Sequence, residues 1–315
     1  MRICCILSVF LDPFVFYRPK ASFVQQLNST LDVNGVAVCD NRVFVTGISS
    51  SALEVFDALS CRRIQTLTVN AMIDPWDIAA RPSSPYLYVF EGLHQVLRLD
   101  LNGQIVTSWM LDGNQRAMSV SRRNSVVITY NDRLDEFDSV GRILRSIKLD
   151  RKLCSASHSL SLDAEAFVVC HGSGRCSISH LVCLVDAEGR ILEMYQESSS
   201  SIYQPLHLAA ADHGCVMVVD IHNGRVQILN QNLSQSYDLI NTRMERPWPI
   251  RVCYDSKRGN VYISTLDGKV LVYCVRVRTS PLTECLDVHS GLIPGQLTDM
   301  DYDCFDTLVK RDIED

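Results

Sequence analysis

The sequence predicts an all-β protein: a six-bladed β-propeller of four-stranded antiparallel blades, with a strand near the N-terminus closing the last blade. Three observations carry this. Short apolar strand runs recur along the 315-residue chain at intervals of about 40–45 residues, the period of propeller arrays. Each period offers several strands separated by Gly, Asn and Asp turns, and no helix-period segment of useful length interrupts them. The sixth period lacks a fourth strand, while an orphan strand stands ahead of the first.

The second strand of each unit sets the register. The third residue of its core, fourth in each quoted run, is Val45 in RVFVTG, Val89 in YLYVFEG, Ile128 in SVVITYN, Val169 in AFVVCHG, Val218 in CVMVVD and Ile263 in NVYIST, at intervals of 44, 39, 41, 49 and 45 residues. Third strands follow as ALEVFD, QVLRLD, RLDEFD, LVCLVD, RVQILN and KVLVYC, four ending in Asp and one in Asn, the residues that turn a chain tightly. Fourth strands read as RRIQTLTV, QIVTSWML, RILRSIKL, RILEMYQ and SQSYDLI. The orphan SFVQQL at 22–27 resembles these and is expected to complete the sixth blade, leaving no open edge in the ring. The domain plan is then an extension at 1–21, one propeller at 22–278 and an acidic tail at 279–315.

First strands align by their apolar pattern. One column holds Val36, Ile78, Met118, Leu160, Leu208 and Ile250, and the next holds Ala37, Ala79, Ser119, Ser161, Ala209 and Arg251. Small residues are expected where inner strands converge on the axis. Period-2 alternation adds Gly35, Asp77, Ala117, Ser159, His207 and Pro249 to the channel side. Asp77, His207 and Arg251 are its polar exceptions, and so its candidate ligand-binding residues.

Bulk composition excludes several classes. Hydrophobic residues make up 47% and charged ones 21%, ordinary for a globular chain with a sizeable core. The net charge is −6 and the isoelectric point near 5.8, so no global field attracts nucleic acid. No apolar run reaches the roughly 20 residues of a membrane-spanning helix. Of thirteen cysteines, Cys39, Cys170, Cys183, Cys215, Cys253 and Cys274 fall in or beside apolar strand runs without a framework spacing, which reads as reduced buried thiols and a cytoplasmic location. The apolar run after Arg2 and the sequons at Asn28 and Asn232 keep secretion as the alternative.

The most patterned unit is QPLHLAAADHGCVMVVDIHNGRVQILN at 204–230. Its Pro205, Gly214, Val216, Val218, Asp220, Asn223, Arg225 and Val226 resemble the NHL repeat of tripartite-motif proteins. The openings Pro75-Trp76-Asp77-Ile78 and Pro247-Trp248-Pro249-Ile250 keep part of the pattern without its Asp and Arg. The resemblance implies a monomeric interaction platform binding a protein or peptide through one face, as in target recognition for ubiquitin ligation. No ligase module accompanies it. It also implies an RNA-binding alternative, for which the face-loop arginines Arg116, Arg151, Arg175, Arg243 and Arg246 are the candidates. Acidic neighbours Asp112, Asp150, Glu197 and Glu245 blunt that field.

A metal-dependent hydrolase or lyase of the lactonase or amidating-lyase propeller type is the remaining alternative. His158 and His207 stand one position apart in the aligned first strands, so they are expected to face opposite ways. The cluster Cys170, His171, Cys176, His180 and Cys183 lacks paired zinc spacing. Asp299, Asp301 and Asp303 start a calcium loop that Cys304 and Lys310 break. No metal, cofactor or catalytic residue is therefore expected. Asp220, Asn223 and Arg225 bracket a tight turn and read as a structural clamp.

Overall fold

A computed structural model describes residues 19–277 apart from 82–83, 93, 151–155, 164, 172–180, 196–203 and 242–246. Six four-stranded antiparallel sheets form the blades of a propeller. The helical content of the described residues is one 3-10 turn, Asp212–Gly214. The innermost strands are β2 (Val33–Cys39), β6 (Pro75–Ala80), β10 (Gln115–Val120), β14 (Ala156–Ser161), β18 (Pro205–Ala210) and β22 (Pro249–Asp255).

Closure follows the sequence expectation. The outer strand β1 (Pro19–Gln26) pairs with β24 (Val270–Val277), which continues through β23 (Asn260–Thr265) to β22. The closing strand starts at Pro19, three residues ahead of the expected 22, because Pro19 and Lys20 still oppose Val277 and Arg276. Proline is tolerated there at the first residue of an edge strand. The link from β1 into blade 1 is fastened to Glu54, whose side chain is fully buried. Its carboxylate accepts hydrogen bonds from Ser29 Oγ at 2.7 Å, Thr30 Oγ1 at 2.6 Å and Arg63 Nη1 at 2.5 Å.

Cores lie between successive blades, where β-branched and aromatic side chains of neighbouring sheets meet. Phe44, Val55, Ile78 and Val89, for example, belong to one such cluster spanning blades 1 and 2. Each fully buried large side chain of this kind contributes roughly 1.5–3 kcal/mol.

The inner strands share one irregularity that sets the channel. In every blade the ladder to the second strand shifts within the first residues, at Val33/Gly35, Pro75/Asp77, Gln115/Ala117, Ala156/His158, Pro205/His207 and Pro249/Arg251. The extra residue of a bulge re-aims its successor. Beyond it, Val36, Ile78, Met118, Ser159, Leu208 and Val252 oppose the six second-strand register residues. The apolar alignment is thus corrected by one residue in blade 4 and by two in blade 6. Ser159 occupies the column's apolar place in blade 4, satisfied by a 2.7 Å hydrogen bond to Thr129 Oγ1 of blade 3.

Candidate functional site

The bulges set which residues form the layer at the axis. The residues after the bulges, Gly35, Asp77, Ala117, His158, His207 and Arg251, form one layer across the channel. Ser159 and Pro249 do not belong to it, and His158 does. His158 and His207 therefore face the same way, contrary to the sequence expectation. Their ring centroids lie 4.0 Å apart with the planes at 45°.

Asp77 is the hub of this layer. Its Oδ1 accepts the Ile78 N–H at 2.9 Å. Its Oδ2 lies 3.7 Å from His207 Nε2 and 3.5 Å from Arg251 Nε, ion-pair distances longer than a good hydrogen bond. The Arg251 guanidinium also donates to the Ile250 carbonyl at 3.1 Å and the Trp76 carbonyl at 3.4 Å. His207 Nδ1 accepts from the Val252 N–H at 3.4 Å, which leaves the proton of the neutral ring on Nε2, toward Asp77. His158 is buried, and its ring nitrogens make no well-formed hydrogen bond, with only a loose approach to the Met118 backbone.

Electrostatics fix the charges of the layer. Burial opposes the Asp77 charge, but Arg251 and then His207 outweigh it and hold the carboxyl below its ordinary range. Burial lowers the His207 pKa despite the attraction of Asp77, with Arg251 adding to the fall. Burial drives His158 well below the ordinary imidazole value, helped by His207 and Arg251. Near pH 7 the layer thus holds one compensated ion pair and two neutral imidazoles. Asp77, His158 and His207 each offer one atom to a set whose members lie within 4.8 Å of one another.

Below this layer the channel holds a cavity. Residues two positions further along each inner strand are Ala37, Ala79, Ser119, Leu160, Ala209 and Cys253, and all six line this cavity of about 490 Å³. His158 and His207 stand at its inner end, and Arg81, Arg122, Asp212 and His213 line its other end at the hairpins joining first and second strands.

The opposite face, where inner strands begin, carries a set of exposed apolar side chains. Trp76 and Trp248 are each 43% exposed, Ile48 51%, Leu266 65% and Ile73 72%. Backbone bonds hold them to that end: Ile48 N–H to the Asp32 carbonyl and Leu266 N–H to the Trp248 carbonyl, each 2.8 Å.

The other sequence candidates divide. Arg116 is the extra residue of the blade 3 bulge, exposed and donating to Asn131 Oδ1 at 2.7 Å. Arg151, Arg175, Arg243 and Arg246 lie outside the described residues, as do Cys176, His180 and the acidic triplet at Asp299, Asp301 and Asp303. Asp220 is fully buried and accepts from Asn223 Nδ2 at 2.7 Å and Arg225 Nε at 3.2 Å. Arg225 reaches on to Asp238 at 2.9 Å, tying the turn to the outer strand of its blade. Cys39, Cys61, Cys170, Cys183, Cys253 and Cys274 form no disulfide. Burial raises Cys183 to about 12, and burial with Cys183 nearby raises Cys170 well above its ordinary value, so neither supplies a thiolate readily.

No protein-family model matches the chain, and no curated protein matches it. Its architecture is that of a six-bladed β-propeller. Among solved structures it is similar to virginiamycin B lyase from Staphylococcus aureus, with a TM-score of 0.58 and 12% identity over 82% of this chain and 99% of that one. A streptogramin B lyase structure matches with the same score and identity, over 82% of this chain and 98% of the other. At that identity the likeness is one of fold.

Proposed function

We propose that this propeller is a non-enzymatic interaction module that binds a protein or peptide on the face where its inner strands begin. The observation behind this reading is the set Trp76, Trp248, Ile48, Ile73 and Leu266, exposed together on that face. Exposed large apolar side chains sharing a surface mark interaction sites, and tryptophan supplies much of the energy of such contacts. The blades hold the face rigidly, and the layer at Asp77 compensates its own charges beneath it. The NHL-like character of blade 5 supports such a role, including target recognition for ubiquitin ligation by a separate catalytic module. Free cysteines among the described residues fit a cytoplasmic setting. The test is affinity capture with wild-type protein beside a Trp76→Ser/Trp248→Ser variant of unchanged melting temperature. The reading expects captured partners to fall at least about tenfold, since each buried tryptophan anchor contributes 2 kcal/mol or more. Undiminished capture refutes it, and capture abolished by ribonuclease transfers the face to RNA.

A second reading, a metal-assisted hydrolase or lyase, draws on the proximity of Asp77, His158 and His207 and on the lyases among the structures of similar fold. Two contacts weigh against it. Arg251 already neutralises Asp77, and the Val252 N–H occupies the His207 nitrogen that would carry the proton of a ligating ring. Cobalt titration followed by visible absorption discriminates: a d–d band lost in His158→Asn favours this reading, and a featureless spectrum removes it.

A further inference from the structure

We infer that the channel cavity is a second binding site, opening at the end opposite the proposed docking face, for a neutral, largely apolar small molecule with one hydrogen-bonding head. The site originates in the inner-strand sequence. After the bulges, Ala37, Ala79, Ser119, Leu160, Ala209 and Cys253 occupy equivalent places, paired with Phe44, Tyr88, Val127, Val168, Met217 and Tyr262, and all six line the cavity. Five of the six are Ala, Ser or Cys. Six large side chains would fill the channel here, whereas these leave about 490 Å³. That lies in the range of roughly 300–1,000 Å³ that small-molecule pockets occupy.

The chemistry of the walls selects the ligand class. No member of this layer carries a formal charge, so a charged ligand would lose hydration without gaining a partner. The inner end offers neutral polar groups. His158 is 1% exposed and Ser119 6% exposed, both line the cavity, the Ser119 hydroxyl has no hydrogen-bond partner, and the His158 nitrogens make no well-formed hydrogen bond, with only a loose approach to the Met118 backbone. A buried polar group left unpaired costs on the order of 1–3 kcal/mol. A neutral imidazole both donates and accepts, so a ligand hydroxyl, ketone or amide reaching this end recovers that cost. An apolar body against Leu160, Leu208 and the alanines supplies the remaining contact. Among the described lining residues, the charged side chains Arg81, Arg122 and Asp212 stand at the outer end.

The experiment uses the full chain and prodan, a neutral fluorescent aromatic ketone. The expected result is saturable binding at one site per chain with blue-shifted emission. Ala209→Leu, which fills the small-residue layer, weakens it at least about tenfold, as does Ala79→Leu, an independent filling from the other side of the ring. Each variant is read beside its own melting temperature, so a folding failure in one leaves the other decisive. Wild-type prodan binding that is absent, or unchanged by both filling variants, overturns the proposal. A crystal under xenon gives a second readout: xenon density between Leu160 and Ala209 supports it, and ordered water alone throughout the cavity overturns it. Capture on the docking face is expected to survive both filling variants, so the two sites fail or stand separately.

Discussion

Breaking the Asp77–Arg251 pair measures whether the polar layer across the channel works as a unit. The carboxylate is 3% exposed, the guanidinium 13%, and they stand 3.5 Å apart. At an effective dielectric near 20, two unit charges at that separation attract by roughly 5 kcal/mol, offset by the desolvation of both. Asp77→Asn leaves Arg251 buried with only two backbone carbonyls as partners, a loss of about 3–5 kcal/mol for an orphaned buried charge. Arg251→Met costs less at pH 7, about 1–3 kcal/mol, because Asp77 escapes its buried charge by taking up a proton. The double variant removes both charges and is expected to lie within about 1 kcal/mol of Arg251→Met, a coupling of 2 kcal/mol or more. Urea unfolding followed by tryptophan fluorescence reads all four proteins. In wild type the depressed Asp77 pKa contributes stability above the unfolded value near 3.9 that is lost as pH falls through the folded value. In Arg251→Met the folded pKa lies above the unfolded one, so that variant gains on wild type as the solution is acidified. Additive single losses, or parallel pH profiles, refute the cooperative layer.

Two further outcomes follow from the closure of the ring. Glu54→Gln is expected to destabilise by roughly 1–3 kcal/mol, because the buried carboxylate of charge-assisted bonds becomes a neutral amide. Burial works against the Glu54 charge, yet the bonds from Thr30, Ser29 and Arg63 hold its pKa below the ordinary value. The deficit is therefore full above the unfolded pKa and shrinks as pH falls through the folded one, visible as converging melting temperatures. Deleting residues 1–26 removes β1 and bares the edge of β24, where Val270, Leu271 and Val272 are buried in the intact blade. Self-association by light scattering at micromolar concentration is the expected result, and a monomer of wild-type stability would show that the closing strand is dispensable.

How legible the fold was depends on which strand is considered. Second strands are buried on both faces and bounded by turns, so Val45, Val89, Ile128, Val169, Val218 and Ile263 mark equivalent positions without exception. Inner strands are half polar and bulged, and there apolar pattern misleads. Leu160 looks like the core residue of blade 4, but Ser159 takes that place through its bond to Thr129. In blade 6 Ile250 draws the alignment two residues early. A better signal was present: Pro249-x-Arg251 repeats Pro75-x-Asp77 and Pro205-x-His207, with proline two positions ahead of the axial residue each time. Aligning on it places Arg251 beside Asp77 directly. Asp77, His207 and Arg251 were singled out because polar residues interrupt a small-residue column. His158 was missed because a one-residue slip in register reverses a strand's faces.

The polar layer also decides which substitutions can separate the two proposed surfaces. Gly35 and Ala117 supply two of its six positions, and at Gly35 even a Cβ would run into Thr46 Oγ1 and press on Ile78 of the next blade, so the layer cannot be rebuilt there as an apolar plug. The layer instead binds the two ends of the channel together: Arg251 holds the Trp76 carbonyl on one side and Asp77 at the centre, and Asp77 faces His207, whose ring lies on His158 at the head of the cavity. A change at Asp77 or Arg251 therefore moves the docking face and the cavity together and cannot assign a loss of binding to either. Trp76 and Trp248 on the face, and Ala79 and Ala209 in the cavity, lie on opposite sides of the layer. Substitutions there leave its charges compensated, and they are the ones whose effects can be attributed to a single surface.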